Sequence, residues 1–486
     1  MRFSYRDNLR KILLALLLGL VITTSTANAQ QLYWEKPEVL IPEGGRFPRV
    51  DQNGGTTAIL WHEFIYDGDE PDEMSVSLMV RSIDQEDWDV HRRILGPFDF
   101  VGDEVPFAST AIDRDGRVLI ATASSGRRIE LYELEGPGEQ VRQLTTLGDG
   151  GGEGISVAPK LFYKESGGFL LFATQPLRVE GAEGSIGTPS LGINYSVSGN
   201  GRNWTDFRPL VSDTDLSYVY LPSHASYRNR EFVVFQASPS ESRYYQLYLV
   251  SSADGGVTWS EPRRLTDFTD ALGIDNADVN DFNNQRPYLA AAQNGLHLAW
   301  ERQFANTTAP QIYYALLNTE GDVIEEAERV NSSNASCRSP QVIVDKEDPY
   351  LLWFDDRKGE NRIFLGYRQG RNWQNDDLSI MQGSSMYGEF FYRNDKINVV
   401  WENKFSENSR VVMLEPDQSV EAPRVIPQNF RSEGRSNQKN YAIGWNIPDD
   451  SSGISGFNYS IDRDPDARPD RVMKFFVGTI GGLRLR

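Results

Sequence analysis

The chain of 486 residues is longer than an average domain and is acidic, with 69 acidic and 49 basic residues and a net charge of −20. This charge argues against nucleic acid or an anionic membrane as a partner, because both require a basic face. The single cysteine, Cys337, excludes an internal disulfide, and four scattered histidines without a cysteine cluster argue against a zinc site. An aromatic content of 11% with few helical patterns indicates an all-β protein.

Residues 1–29 have the pattern of a secretory signal peptide. Four basic residues precede the apolar run Ile12–Ile22, and Ala27-Asn28-Ala29 is a small-x-small cleavage site. The run is too short to span a bilayer, since a span needs about 20 residues, and an uncleaved anchor is the alternative. Cleavage would leave 45 basic and 68 acidic residues, a net charge of −23. We therefore expect an extracytoplasmic protein, periplasmic or secreted, with no membrane span in the mature chain.

The segment Tyr33–Leu40 resembles a strand found much later in the chain. Its Trp-x-x-Pro pattern matches that of Thr258–Leu265, which follows a hairpin and has the character of a fourth strand. We predict that this N-terminal strand completes the last unit of a ring and joins its two ends.

A repeated unit dominates residues 30–424. Each copy opens on a short lead-in, continues as an alternating strand, turns, and runs into an apolar strand that usually ends in an aromatic residue. Seven copies recur at intervals of about 48 to 65 residues, the range of propeller blades. They open at Phe47-Pro48, Val105-Pro106, Ala158-Pro159, Leu221-Pro222, Arg286-Pro287, Ser339-Pro340 and Tyr387-Gly388. The pattern predicts a seven-bladed β-propeller, with six blades or a pair of β-sandwiches as alternatives.

The stretch Ser252–Trp259 predicts a tight hairpin between the third and fourth strands of one unit. Ser252 and Asp254 can bond to the backbone of the loop that they begin, and Gly255 and Gly256 supply positive φ. Thr258 and Trp259 close the motif, with the indole as a packing anchor. We expect these residues to be structural.

The pattern changes after residue 424. Tyr441–Trp445 and Gly456–Ile461 predict two strands of a fibronectin type III-like sandwich over residues 425–486. Such a domain needs about 100 residues, so an incomplete domain and a smaller appendage are the two alternatives.

The openings of the repeats carry the candidate binding residues. Arg46, Arg286 and Arg338 stand at the openings of three units, and Tyr387 opens the seventh. If these openings surround a central channel, three guanidinium groups and a phenol converge, which suits a ligand carboxylate. The alternative is that each arginine pairs with a nearby acid such as Glu43, Asp281 or Asp345.

The hairpin motif, the repeat and the order of these groups resemble the sialidase-like β-propellers with Asp-boxes, also called BNR repeats. The resemblance implies that Ser252, Asp254, Gly256, Thr258 and Trp259 form an Asp-box. It implies that Arg46, Arg286 and Arg338 bind a sugar carboxylate, and that Asp72 is an acid/base. It also implies that Tyr387 is a nucleophile activated by a glutamate, for which Glu389 is the candidate. A phenol with a pKa near 10 needs such a neighbour.

Two functional hypotheses follow. The first is a sialidase-like module that binds a glycan or an envelope or extracellular protein; the second is an exo-sialidase that cleaves terminal sialic or other acidic sugars. A third idea is a structural assembly factor of the cell envelope. Neither hypothesis implies a metal or an organic cofactor.

Overall fold

The computed structural model of the chain describes residues 32–417 apart from gaps at 33, 68–69, 86, 100–107, 125–127, 149–156, 178–189, 213–214, 270–277, 306–307 and 394–395. Five short strands are described beyond residue 417. Within these ranges the regular structure is β-strand, together with one 3₁₀ turn, Val279–Asp281. The chain is all-β, as its composition and repeats predict.

Seven four-stranded antiparallel sheets follow one another along the chain. Their first strands are β2 (Arg46–Asn53), β6 (Ser109–Ile112), β10 (Val157–Tyr163), β14 (Leu216–Tyr227), β18 (Phe282–Ala292), β22 (Arg338–Asp345) and β26 (Ser384–Arg393). Each first strand contacts the first strand of the next sheet, and β26 contacts β2. The sheets are therefore the blades of a closed propeller, numbered I to VII here, with the first strands around its axis.

The second strands are the most deeply buried part of each blade. They are β3 (Thr56–Asp67), β7 (Val118–Ser124), β11 (Phe169–Leu177), β15 (Arg230–Pro239), β19 (Gly295–Phe304), β23 (Asp348–Asp355) and β27 (Lys396–Phe405). Neighbouring residues of these strands face opposite blades: Leu60 packs between blades I and II, whereas Ile59 packs between blades VII and I. Burial on both faces explains why the second strands read as continuous apolar runs.

The outer strands complete each blade. The third strands are β4 (Glu70–Ser82), β8 (Arg128–Leu134), β12 (Ser190–Ser198), β16 (Gln246–Ser252), β20 (Gln311–Leu317), β24 (Arg362–Gln369) and β28 (Asn408–Leu414). The fourth strands of blades I to VI are β5 (Asp89–Asp99), β9 (Arg142–Leu147), β13 (Arg208–Pro209), β17 (Arg263–Arg264), β21 (Val323–Arg329) and β25 (Asn372–Asp377).

The fourth strand of blade VII comes from the N-terminal end of the described chain. Strand β1 (Glu38–Ile41) pairs antiparallel with β28, with Glu38 opposite Met413. A bridge between Trp34 and Pro416 extends this pairing. The prediction that the N-terminal strand closes the ring is confirmed, and so is the count of seven blades.

Seven hydrophobic clusters fill the seven contacts between neighbouring blades. Trp61, Trp300, Trp353 and Trp401, each in the second strand of its blade, are among the largest fully buried side chains. The core is thus divided into seven wedges, which excludes the alternative of two sandwiches.

The hairpin Ser252–Trp259 is held by its own side chains. Ser252 Oγ accepts from Gly256 N at 2.8 Å, and Asp254 accepts from the Thr258 backbone N at 2.9 Å and hydroxyl at 2.6 Å. A Cβ on Gly256 would lie 2.4 Å from Leu170 Cδ2, so the close approach to blade III requires glycine. The Trp259 ring packs against Phe172 of that blade.

Beyond residue 417 the described strands form two small sheets. Strands β29 (Val425–Pro427), β30 (Tyr441–Trp445) and β33 (Gly482–Leu485) pair in one sheet, and β31 (Gly456–Tyr459) pairs with β32 (Arg471–Lys474) in the other. The two strands predicted from the sequence are both present. The fibronectin type III-like topology and the domain boundary at residue 424 stay predictions.

Candidate functional site

Most first strands begin with a shift of register at the position of the repeated proline. The shift lies between Arg46 and Arg49 in β2, and at the equivalent place in β10, β14, β18, β22 and β26. In five blades the residue before the proline or glycine has a positive φ of 48° to 54°: Phe47, Leu221, Arg286, Ser339 and Tyr387. The second opening, Val105-Pro106, lies outside the described residues.

A buried side chain of the preceding blade compensates this strained backbone at several openings. Glu402 Oε2 accepts from Phe47 N at 3.0 Å, and Glu301 Oε1 accepts from Ser339 N at 2.7 Å. At a third opening, Gln236 Oε1 accepts from Arg286 N at 2.8 Å. All three acceptors directly follow an aromatic residue of a second strand. The same position of the repeat therefore supports the openings of three blades, which we call the mouth of the channel.

Glu402 and Glu301 also orient two arginine side chains. Arg46 Nε lies 3.3 Å from Glu402 Oε1, and Arg286 Nη1 lies 2.8 Å from Glu301 Oε2. Both carboxylates are fully buried, whereas the two arginine side chains keep 27% and 43% of their surface exposed. Each arginine is therefore paired with a buried carboxylate and also presents part of its surface to solvent.

Tyr387 stands beside this pair of arginines. Its ring centroid lies 4.6 Å from that of Phe47, and the Arg46 guanidinium lies 4.9 Å from the same Phe47 ring. Burial raises the pKa of Tyr387, and Glu402 raises it further, while Arg46 and Arg286 lower it. We call Arg46, Arg286 and Tyr387 the mouth cluster, because each stands at the opening of a blade and both arginines act on the Tyr387 phenol. At neutral pH the phenol of Tyr387 is protonated and can donate a hydrogen bond.

Arg338 stands at the opening of blade VI. Its side chain is exposed, and its Nε donates to Ser336 Oγ at 3.2 Å. No carboxylate of the described chain lies within ion-pair distance of it. Arg338 pairs opposite Phe354 as Arg46 pairs opposite His62, whereas Arg286 occupies the next position along its strand.

The two acidic residues taken from the resemblance differ in what the structure shows. Glu389 forms an ion pair with Arg49 across the contact between blades VII and I. The acid that acts on the Tyr387 phenol most strongly is instead Glu402. Asp72 belongs to β4, but its side chain lies outside the described residues.

Sequence reasoning missed Glu402 and Glu301, although a signal for both was available. Each acid follows a tryptophan that ends an apolar run, Trp401 or Trp300, and each interrupts a strand that is otherwise buried. A carboxylate at such a position requires a partner, because an unpaired buried charge is costly.

The described residues contain no group of three or more His, Cys, Asp or Glu side chains that could hold a metal ion. Among the same residues no helix has the length and apolar character needed to cross a bilayer.

Comparisons with solved structures give alignments at low sequence identity. The polysaccharide lyase Uly1 aligns with a TM-score of 0.53 and 12% identity, over 81% of this chain and 94% of that one. An α-L-arabinanase of Penicillium chrysogenum, complexed with arabinobiose, aligns with a TM-score of 0.46 and 15% identity, over 65% and 95% of the two chains. A Trypanosoma rangeli sialidase complexed with sialic acid gives 0.43 and 10%, over 78% and 58%.

No protein-family model and no curated protein matches the sequence. The chain is therefore placed by its structure, as a seven-bladed β-propeller that aligns with the polysaccharide lyase Uly1.

Proposed function

We propose that this protein is an extracytoplasmic propeller that binds an acidic glycan at the mouth where the first strands begin. The observation that carries the proposal is the mouth cluster, in which Arg46 and Arg286 are held by buried acids beside the protonated phenol of Tyr387. Guanidinium groups and a phenol are donors suited to a sugar carboxylate and its neighbouring hydroxyls. The fold shared with the polysaccharide lyase Uly1 supports a carbohydrate ligand.

Calorimetric titration with acidic and neutral oligosaccharides tests this function. We expect binding of an acidic oligosaccharide, and a loss of about tenfold or more in affinity for Arg286→Gln, because a charge-assisted contact is removed. The matched control is Arg263→Gln at an outer strand, where Arg263 pairs with exposed Asp322. Equal affinity for neutral and acidic ligands, or an unaffected Arg286→Gln variant, would contradict the assignment.

A second candidate function is exo-sialidase activity, favoured by the charges of Glu402, Arg46 and Arg286 that act on the Tyr387 phenol. On this reading the three arginines bind the carboxylate, Tyr387 is the nucleophile and Asp72 is the acid/base. The raised pKa of Tyr387 favours the binding function, because a nucleophilic phenol must lose its proton.

A fluorogenic sialoside distinguishes the two candidates. We expect no turnover by the purified protein. Turnover that disappears in Tyr387→Phe would establish the enzyme and overturn the binding module.

Extracytoplasmic location is part of the proposal and rests on residues 1–29. N-terminal sequencing of the protein from periplasm or medium should give a mature chain that begins after Ala29. A protein retained in the cytoplasm with Met1 intact would contradict it.

A further inference from the structure

Below the mouth, one position of each first strand lines the axis of the propeller. It is the first residue after the register shift and is known from the pairing of six blades. In these blades it is Arg49, Lys160, Ser223, Tyr288, Gln341 or Glu389. All six are polar, and we call this set the axial ring.

Four members of the axial ring are engaged with the protein. Ser223 Oγ accepts from Leu289 N at 2.9 Å, and Gln341 Oε1 accepts from Phe390 N at 3.3 Å, so both join neighbouring blades. Arg49 and Glu389 form the ion pair between blades VII and I.

Lys160 and Tyr288 are different, because they are donors without acceptors. Within the described part of the chain, neither the Lys160 ammonium nor the Tyr288 hydroxyl has a hydrogen-bond partner. Both residues are partly exposed, and neither polar atom is among the fully buried ones. An ammonium group deep in a protein usually has a partner, since its desolvation is costly.

The charges of the ring act on one another across the axis. The pKa of Lys160 is lowered to about 8, chiefly by burial and also by Arg49, while Glu389 opposes this shift. Burial and Glu389 raise the pKa of Tyr288, while Arg49 lowers it. These residues stand at one register position in the first strands of blades I, III, V and VII, and these strands surround the axis, so we place their side chains at one level of the channel.

Two carboxylates near the ring, among the described residues, are already engaged by the protein. Glu389 is paired with Arg49, and Asp51, further along β2, accepts from Ile112 N at 2.6 Å. The donor side chains of the ring without a hydrogen-bond partner in the described part of the chain are those of Lys160, with three N–H bonds, and Tyr288, with its O–H. A carboxylate, with two oxygens that each accept two hydrogen bonds, matches this surplus.

We propose that the axial ring binds a carboxylate group, with its oxygens held by the Lys160 ammonium and the Tyr288 hydroxyl beside the Arg49 guanidinium. The carboxylate is supplied either by a free small carboxylate or by the acidic sugar whose ring lies at the mouth. The second source rests on the proposed function, whereas the first does not.

Protection of Lys160 from acylation tests the site in the unaltered protein. The purified full chain is treated with an amine-reactive anhydride near pH 8, and the labelling of Lys160 is measured by mass spectrometry. We expect sodium acetate or sodium glucuronate to slow the labelling several-fold, and glucose to leave it unchanged, because a bound carboxylate keeps the ammonium protonated and covered. Exposed Lys358 is the internal control.

Calorimetry of three variants tests the same contacts. Lys160→Met should weaken glucuronate binding by about tenfold or more, while the control Lys358→Met leaves it unchanged. Tyr288→Phe should weaken binding by a smaller factor. Glu389→Gln should strengthen it, because it removes a competing charge from Arg49 and the channel; a purely structural role for Glu389 would not produce this increase.

The outcomes separate this proposal from the proposed function. Unchanged Lys160 labelling with both carboxylates, together with normal binding by Lys160→Met, would overturn the axial site. Loss of acidic glycan binding in Arg286→Gln but not in Lys160→Met would overturn the acidic sugar as the source of the axial carboxylate and support the mouth cluster. The reverse result would establish the axial site and remove the mouth cluster. Protection by acetate but not by glucuronate would identify a free carboxylate as the ligand.

Discussion

Residues that follow the second-strand aromatics combine two roles at the mouth. Glu301 accepts from Ser339 N of the next blade and also from Arg286 Nη1 and Gln285 Nε2 of its own blade. Glu402 accepts from Phe47 N and from Arg46 Nε, both of the next blade. One buried acid therefore stabilises a left-handed backbone residue and fixes the direction of a candidate ligand-binding arginine.

Replacing Glu301 should destabilise the propeller strongly. Glu301→Ala leaves Ser339 N and the Arg286 side chain without their acceptor, and we expect a loss of about 3 kcal/mol in the free energy of unfolding by urea. Glu301→Gln is the matched control, because Gln236 performs the backbone role with a neutral side chain. Similar losses for the two variants would show that charge, not acceptance at Ser339 N, is what the site requires.

The hairpin at Ser252–Trp259 should make stability depend on pH in the acid range. Hydrogen bonds from Thr258 lower the pKa of Asp254 from 3.8 to about 2. The ionised form is therefore favoured in the folded state, and its contribution is present above pH 4 and lost as the pH falls toward about 2. The difference in melting temperature between the wild type and Asp254→Asn should shrink over that window, and a constant difference would contradict the assignment.

The sequence identifies the arginines but not their acids. Arg46 is conspicuous beside a proline at the start of a repeat, whereas its partner Glu402 lies 356 residues away along the chain. Only the closure of the ring brings blade VII against blade I, so the pairing depends on the fold and not on any local pattern. For the same reason, proximity in the sequence favours Glu389, two residues from Tyr387, as its acidic neighbour.

At the scale of the element, the strands are more predictable than the connections between them. The seven openings with proline or glycine and the apolar second strands predict the blades, because each feature is local and repeated. The positive φ at the openings was not predicted. A residue before proline ordinarily prefers extended backbone. Here its backbone N–H is bound by an acceptor of a neighbouring blade, and the residue has a positive φ.

Strand β1 should contribute to stability in proportion to the burial of its side chains. Ile41 is 4% exposed and packs between blades VII and I, whereas Val39 is 39% exposed on the same strand. Ile41→Asp should cost about 3 kcal/mol or more, because it buries an unpaired charge, and Val39→Asp should change stability by less than about 1 kcal/mol. Equal melting temperatures for the two variants would mean that β1 does not close the ring in solution.

For the whole molecule, the closure can be tested by changing the order of the chain. Glu35 N donates to Glu415 O at 3.0 Å, and Trp34 bridges to Pro416, so a short turn could join Asp417 to Trp34. A permuted chain that begins at Glu43 and carries residues 34–41 after Asp417 should melt within a few degrees of the chain 34–417. The same permuted chain without residues 34–41 is the control and should melt much lower.

The number of blades could be predicted because each repeat has its own opening residue and its own apolar second strand in the sequence. The residues of the mouth cluster could also be named from the sequence, because each stands at the opening of a repeat. The axial ring could not, since Lys160 and Tyr288 are unremarkable in their own repeats and share a level only once the ring has closed.

The pairing of Glu38 with Met413 also sets an order of events during biosynthesis. The ribosome makes β1 before any blade and β28 after all the others, so the first strand to emerge must wait for the last. Until then the nascent chain carries two unsatisfied edges, which are sites for mispairing with other chains. Release of a chain cut short before β28 should therefore yield aggregates and not a smaller propeller.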